Sequence, residues 1–149
     1  MYKQRRIEFV DGLTLFVLPV FVIWRMYRRV RKDRAITDLR PFNRATIPNS
    51  YPLLLQQDII ESIRRKKYLT VVDTSNFFFQ LFVHLDYKDR FIFINHRSLE
   101  RSKMLLIDFK NSLLYIQYFI DRLLKDYREF CRAFIDDIVI FSNIYKEYV

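Results

Sequence analysis

An α+β fold, with antiparallel strands and helices packed on one face of the sheet, is what this sequence predicts. Three observations carry it. Two apolar, β-branched runs end on or enclose acids, YLTVVD at residues 68–73 and FIDDIVIFS at 134–142. Residues 112–127 repeat apolar side chains at helical spacing, and aromatic runs flank a strongly basic segment near the N-terminal end. With 149 residues, 51% hydrophobic and 17% aromatic, the chain has material for one compact core and is unlike a disordered tail.

The elements follow in order. Residues 16–27 read as a strand and 35–39 as its partner, with the basic residues 28–34 at the turn, which makes a basic hairpin. Pro48, Asn49, Ser50 and Pro52 mark a connector. A helix is expected from about Leu55 to Lys66, with Ile59, Ile60 and Ile63 on one face and basic residues in its last turn. After the strand at 68–73, an aromatic stretch at 76–80 and a strand near 91–95 follow. The next helix starts at Asn111 or Ser112 and carries Leu113, Ile116, Phe119, Ile120, Leu123 and Leu124 to about Tyr127. A hairpin through Asp136 and Asp137 comes last, and no internal repeat appears.

The acids carry the chemistry. Asp136 and Asp137 interrupt an apolar run at a tight turn, where an acidic pair can hold a hard divalent cation through oxygen ligands. Asp73 ends the other run. If the two strands are sheet neighbours, Asp73 converges on the pair, and two metal ions roughly 3.5 to 4 Å apart could be clamped for in-line phosphoryl transfer. Taken singly, each motif has an ordinary explanation: Asp is a common turn residue, and an acid after a strand is often a helix cap.

Net charge is +9, and much of the excess lies between Arg25 and Arg44, where eight basic residues face only Asp33 and Asp38. A second basic cluster, Arg64, Arg65, Lys66 and Lys67, follows the first helix. Clustered positive charge suits a polyphosphate partner, although a solvated basic face is the plain alternative. A single cysteine, Cys131, is consistent with a reducing compartment, and His84 and His96 show no ligand spacing with it. Lys3, Arg5 and Arg6 precede the uncharged stretch 13–24, which at twelve residues is too short to span a bilayer and contains Pro19. A pair of strands is the reading for this region, with a membrane-surface role as a third, weaker alternative.

The succession DLRPFNR (38–44), NSYPL (49–53), YLTVVD (68–73), FKNS (109–112) and FIDDIVIFS (134–142) resembles the reverse transcriptase of gypsy-type long-terminal-repeat retrotransposons, of the sort abundant in fungal genomes. The resemblance implies a polymerase palm-like antiparallel sheet with a basic fingers β-hairpin. Residues 20–149 would be a partial domain of fingers and palm, without thumb or ribonuclease H, preceded by a lead-in at 1–19. It also implies roles. Asp73, Asp136 and Asp137 match the acids that bind two Mg2+ ions, and Phe78 matches the aromatic that excludes a ribose 2′-hydroxyl. Arg25 and Arg34 look like fingers cations that meet the incoming triphosphate, and Lys110 and Gln117 fall in the motif beneath the nascent base pair. The partners implied are an RNA or DNA template-primer and a deoxynucleotide, in an intracellular setting with no stable membrane partner.

The departures from the family pattern are informative as well. Glycine occurs once, at Gly12, where average usage would give roughly ten. Arg65, Ser98 and Asp108 stand where the family shows Gly, and Leu54, Leu85 and Leu113 where it shows Pro. All are single transitions, a pattern that resembles the point mutation by which filamentous fungi inactivate duplicated elements. A Cβ where Gly supplied a positive φ costs about 1 kcal/mol or more. Negligible polymerase activity is therefore expected, and a non-catalytic nucleic-acid-binding remnant is the alternative.

Overall fold

The computed structural model describes residues 6–145, so Lys3 and Arg5 lie outside the described residues. The chain divides into two compact units. The first holds the residues up to Thr46 together with Phe78–Phe109, and the second holds Ile47–Phe77 together with the residues from Lys110 onward.

In the first unit, β1 (Ile7–Phe9), β2 (Leu18–Tyr27), β3 (Val30–Thr37), β5 (Ile92–Ile94) and β6 (Leu99–Ser102) form one sheet in the order β1-β6-β5-β2-β3. Its pairs are antiparallel except β2 with β5, which run parallel through Leu18↔Phe93 and Pro19↔Ile94. β1 and β6 had no alternating signal long enough to read. Arg28 and Arg29 alone make the β2–β3 turn, both at positive φ (49° and 64°), so the basic residues from 30 to 34 belong to the strand and not to the turn. Two central residues at positive φ match the twist of the flanking strands, and Asn-Gly is the usual pair there. Arg-Arg gives no such signal, which is why the sequence reading made the loop too long.

Helix α1 (Arg40–Ala45) was not anticipated. Pro41 fits its first turn, where a missing N–H costs nothing. The Asp38 carboxylate accepts from the Arg40 backbone N–H at 3.0 Å and from its guanidinium at 2.9 and 2.7 Å. Phe42 then sits among Phe16, Phe91 and Phe109, with ring centroids 6.0, 5.4 and 5.3 Å away. Leu18, Phe91 and Ile92 are the buried centre of this unit.

In the second unit, β4 (Tyr68–Asp73), β7 (Cys131–Phe134) and β8 (Asp137–Ser142) form an antiparallel sheet in the order β4-β8-β7. Helix α2 (Gln56–Ile63) is shorter at both ends than the sequence suggested, and Ile59 is its buried residue. Helix α3 (Ser112–Leu123) packs on β7 and gives way to a 3-10 turn at Lys125–Tyr127. Asn111 precedes α3 as expected, but its side chain does not cap the helix. It donates to the Ile47 carbonyl and accepts from the Asn49 N–H, each at 2.9 Å, and so ties down the 47–49 connector. Ser112, Ile116, Gln117 and Ile120 form the buried stripe of α3, and Cys131 and Ala133 alternate with half-exposed neighbours along β7. Burial pushes the Cys131 thiol pKa up.

Two predictions follow from these packings. Ile116 is fully enclosed whereas Leu113 is 41% exposed on the same helix. Urea unfolding should therefore show Ile116→Ala losing about 2–5 kcal/mol and Leu113→Ala less than about 1 kcal/mol. The Arg40 hydrogen bonds pull the Asp38 pKa down from 3.8 to about 2. A carboxyl whose folded value lies below its unfolded one adds stability above pH 3.8 that disappears as pH falls toward 2. Asp38→Asn should thus lower the neutral plateau of an unfolding titration and flatten its acid limb in that window.

Candidate active site

The carboxylates are placed by strand pairing. In the β4–β8 ladder Asp73 lies directly opposite Asp137, at the end of six matched pairs that begin with Tyr68↔Ser142. Asp137 is also the partner of Phe134 across the β7–β8 hairpin, which leaves Ile135 and Asp136 as its two-residue turn. Asp137 therefore opens the strand, and only Asp136 of the acidic pair is in the turn. Asp73 and Asp137 are exposed and Asp136 is half-buried.

The turn is pinned from two directions. Thr74, just past the end of β4, donates to the Asp136 carbonyl from its backbone N–H at 2.9 Å and its hydroxyl at 2.8 Å. From α3, Gln117 accepts from the Ile135 N–H at 2.8 Å and donates to the Ala133 carbonyl at 3.1 Å. Ile135 has a φ of 59°, a left-handed conformation at the first central position, where such turns usually take Gly. A β-branched residue there stores roughly 1–2 kcal/mol of strain, which the hydrogen bonds at the turn hold in place.

Like charges directly opposite each other in a sheet repel. The β4–β8 ladder nevertheless sets Asp73 against Asp137, with Asp136 next to them in the chain. All-oxygen donors of this kind suit a hard cation such as Mg2+. The side chains are not drawn together as a ready three-ligand cluster among the described residues. Two ligand residues on neighbouring strands and a third in the turn are what the backbone supplies.

The other sequence-predicted residues fall as follows. Arg25 and Arg34, both exposed, lie on one face of the β2–β3 hairpin, because their register partners are Lys32 and Ile23. With Ile23, Lys32 and Ile36 they line a shallow pocket of about 490 Å³. On the opposite face Arg31 is neutralised by Asp33 at 2.9 Å and stacks 4.8 Å from the Trp24 ring centroid. The hairpin thus has a cationic side and an aromatic side. Phe78 is buried in the 3-10 turn Phe77–Gln80. Lys110 is exposed. Gln117 is completely buried, and its amide is spent on the hairpin backbone, so it acts on the carboxylates through the turn.

The glycine departures have a different cost from the one expected. Arg65, Ser98 and Asp108 all avoid positive φ, so none is strained in the way a replaced left-handed glycine would be. Among the described residues such strain sits at Arg28, Arg29, Asn76 and Ile135. Asp108 is exposed, and its backbone carbonyl accepts from Asn43 at 2.8 Å. His84 caps the turn that follows it, and His96 accepts from Arg97, so both have local roles.

The family described as reverse transcriptase (RNA-dependent DNA polymerase) matches residues 24–148. The chain belongs to the reverse transcriptase family. Curated relatives include the putative enzymatic polyprotein of Cassava vein mosaic virus, 25% identical over 131 residues, which are 87% of this chain and 20% of the polyprotein. The enzymatic polyprotein of Soybean chlorotic mottle virus is 30% identical over 117 residues, 78% of this chain and 17% of that one. The Pol polyprotein of the opus transposon of Drosophila melanogaster is 28% identical over 77% of this chain and 12% of its own length. This reverse transcriptase domain therefore spans a fifth or less of those relatives.

Among solved structures, the foamy viral protease-reverse transcriptase bound to double-stranded DNA covers 98% of this chain with a TM-score of 0.82 at 20% identity. The same viral protein bound to an RNA/DNA hybrid gives 0.81 at 19%. At these identities the likeness shows the fold.

Sequence reasoning missed Thr74, Tyr51 and Asp121. The Tyr51 hydroxyl donates to Asp121 at 2.7 Å, and Asp121 in turn accepts from Gln117 at 2.9 Å. The signal available was the NSYPL motif and the four-residue spacing of Gln117 and Asp121 on α3. Thr74→Val keeps the shape and the backbone bond but loses the hydroxyl bond to Asp136. It should lower stability by about 0.5–1.5 kcal/mol in urea unfolding, with the amide of Asp137 exchanging faster than in the parent.

Proposed function

We propose that this chain is the fingers-and-palm part of an RNA-directed DNA polymerase and that Asp73, Asp136 and Asp137 are its catalytic carboxylates. The observation that carries the reading is the pairing of Asp73 with Asp137 on joined strands, with Asp136 in the adjoining turn. These three residues would hold two Mg2+ ions, which when bound activate a primer 3′-hydroxyl and stabilise the leaving pyrophosphate. The chain's own contribution is placement. The ladder fixes the separation of the acids, and the pinned turn fixes where Asp136 can reach. Arg25 and Arg34 would attract the triphosphate of a deoxynucleotide, and Lys110 would lie in the motif beneath the nascent base pair. Phe78 would be the steric barrier to a 2′-hydroxyl.

The template-primer is read as RNA or DNA, in keeping with the nucleic acids held by the foamy viral neighbours. The finer placement is a gypsy-type retrotransposon of fungal kind, carried by the five motifs and by the transition-type losses of Gly and Pro. An intracellular site of action goes with that placement; no helix among the described residues is long and apolar enough to cross a membrane.

The second reading, a remnant that binds nucleic acid without catalysis, is favoured by the cationic face of the β2–β3 hairpin. The response of hybrid binding to Mg2+ and to Asp73→Ala separates the two, because it should change on the first reading and stay the same on the second. With Mg2+ and deoxynucleotides, the chain should extend a primer on an RNA template negligibly, while binding the hybrid in a salt-dependent way that weakens when Arg25 and Arg34 become Ala. Robust extension abolished in Asp136→Ala would instead establish an active polymerase.

A further inference from the structure

The NSYPL motif carries no role in the proposed chemistry, yet its tyrosine is connected to the acidic hairpin. Asn49 is held by Asn111, and the Asn49 side chain accepts from the Tyr51 N–H at 3.2 Å, which sets the tyrosine against α3. There its ring meets Tyr118 edge-on at 5.3 Å, and its hydroxyl donates to one Asp121 carboxylate oxygen at 2.7 Å. The other Asp121 oxygen accepts from the Gln117 amide nitrogen at 2.9 Å. The hydrogen bond from its own hydroxyl to Asp121 raises the Tyr51 pKa.

The chain of bonds has a directional logic. A carboxylate only accepts, so Asp121 must face the NH2 side of Gln117. This favours the same amide orientation that the turn requires, with its oxygen toward the Ile135 N–H and its second N–H toward the Ala133 carbonyl. Those two bonds are where the left-handed Ile135 is held. A flipped amide would set donor against donor at Ile135 and acceptor against acceptor at Asp121. Gln117 is fully buried, so water is not at hand to repair the mismatch.

We propose that Tyr51 and Asp121 are positioning residues for the acidic hairpin, acting through the amide of Gln117 on the turn that carries Asp136. The inference rests on the reading of Asp73, Asp136 and Asp137 as metal ligands for its consequence, and on the relay alone for its geometry. Tyr51→Phe removes one hydroxyl and Asp121→Asn removes the acceptor-only character. Tyr118→Phe is the control, because its hydroxyl accepts from Arg122 and lies outside the relay.

Two measurements on the full chain decide the matter. Amide hydrogen exchange by NMR should show the Ile135 N–H exchanging about tenfold faster in Tyr51→Phe and in Asp121→Asn, with the interior amides of α3 and β8 unchanged and Tyr118→Phe like the parent. Mn2+ titration, followed by thermal shift, should show the dissociation constant of both variants weakened by about three- to tenfold, and binding lost in Asp137→Asn. Unchanged Ile135 exchange in both variants would overturn the proposal, as would faster exchange with the Mn2+ affinity of the parent. If the parent itself fails to bind Mn2+, the metal-site reading falls with its consequence, while the exchange data still decide whether the relay holds the turn.

Discussion

The antiparallel pairing of β4 with β8 is the constraint on which the candidate site depends. Six residues of each strand are matched, and the ladder ends with Asp73 against Asp137. Side chains alternate across a strand, so a slip of one residue would send one of the two carboxylates to the other face. The ladder, with the Thr74 bonds to the Asp136 carbonyl beyond its end, thus fixes more than stability. It fixes which charged groups share a face, against the repulsion those groups exert on each other.

A turn with an unfavourable backbone sits at the head of this ladder. Ile135 occupies a conformation that suits glycine, in a chain with glycine only at Gly12. The conformation persists because both sides of the turn are engaged, by Gln117 from the helix and by Thr74 from the end of β4. Arg28 and Arg29 also take left-handed conformations, at the exposed tip of the β2–β3 hairpin, where two such residues match the twist of the strands. The acidic turn, engaged from both sides, has its geometry over-determined, as a site that must hold charged groups in register requires.

The hairpin of the first unit shows a comparable division of labour by periodicity. Arg25, Lys32 and Arg34 share one face with Ile23 and Ile36, and Trp24, Asp33 and Arg31 share the other. Because Arg31 is paired with Asp33, the cationic potential is concentrated on a single side. Basic composition by itself could not reveal this, since neighbours in sequence are on opposite faces of a strand.

What the sequence determined on its own was local or periodic. The strand at 68–73, the helix beginning at Ser112, the acidic hairpin and the family all follow from short runs whose pattern is complete within a few residues. It also marked Asp73, Asp136 and Asp137 as candidates, since acids at the end of apolar strands are unusual. Tertiary structure alone decided that Asp73 faces Asp137, that the parallel β2–β5 contact joins the first sheet, and that Gln117 points into the hairpin rather than outward. Each of these is a contact between residues far apart in the chain, selected by packing and by the satisfaction of buried polar groups, and neither leaves a periodic trace in a single sequence.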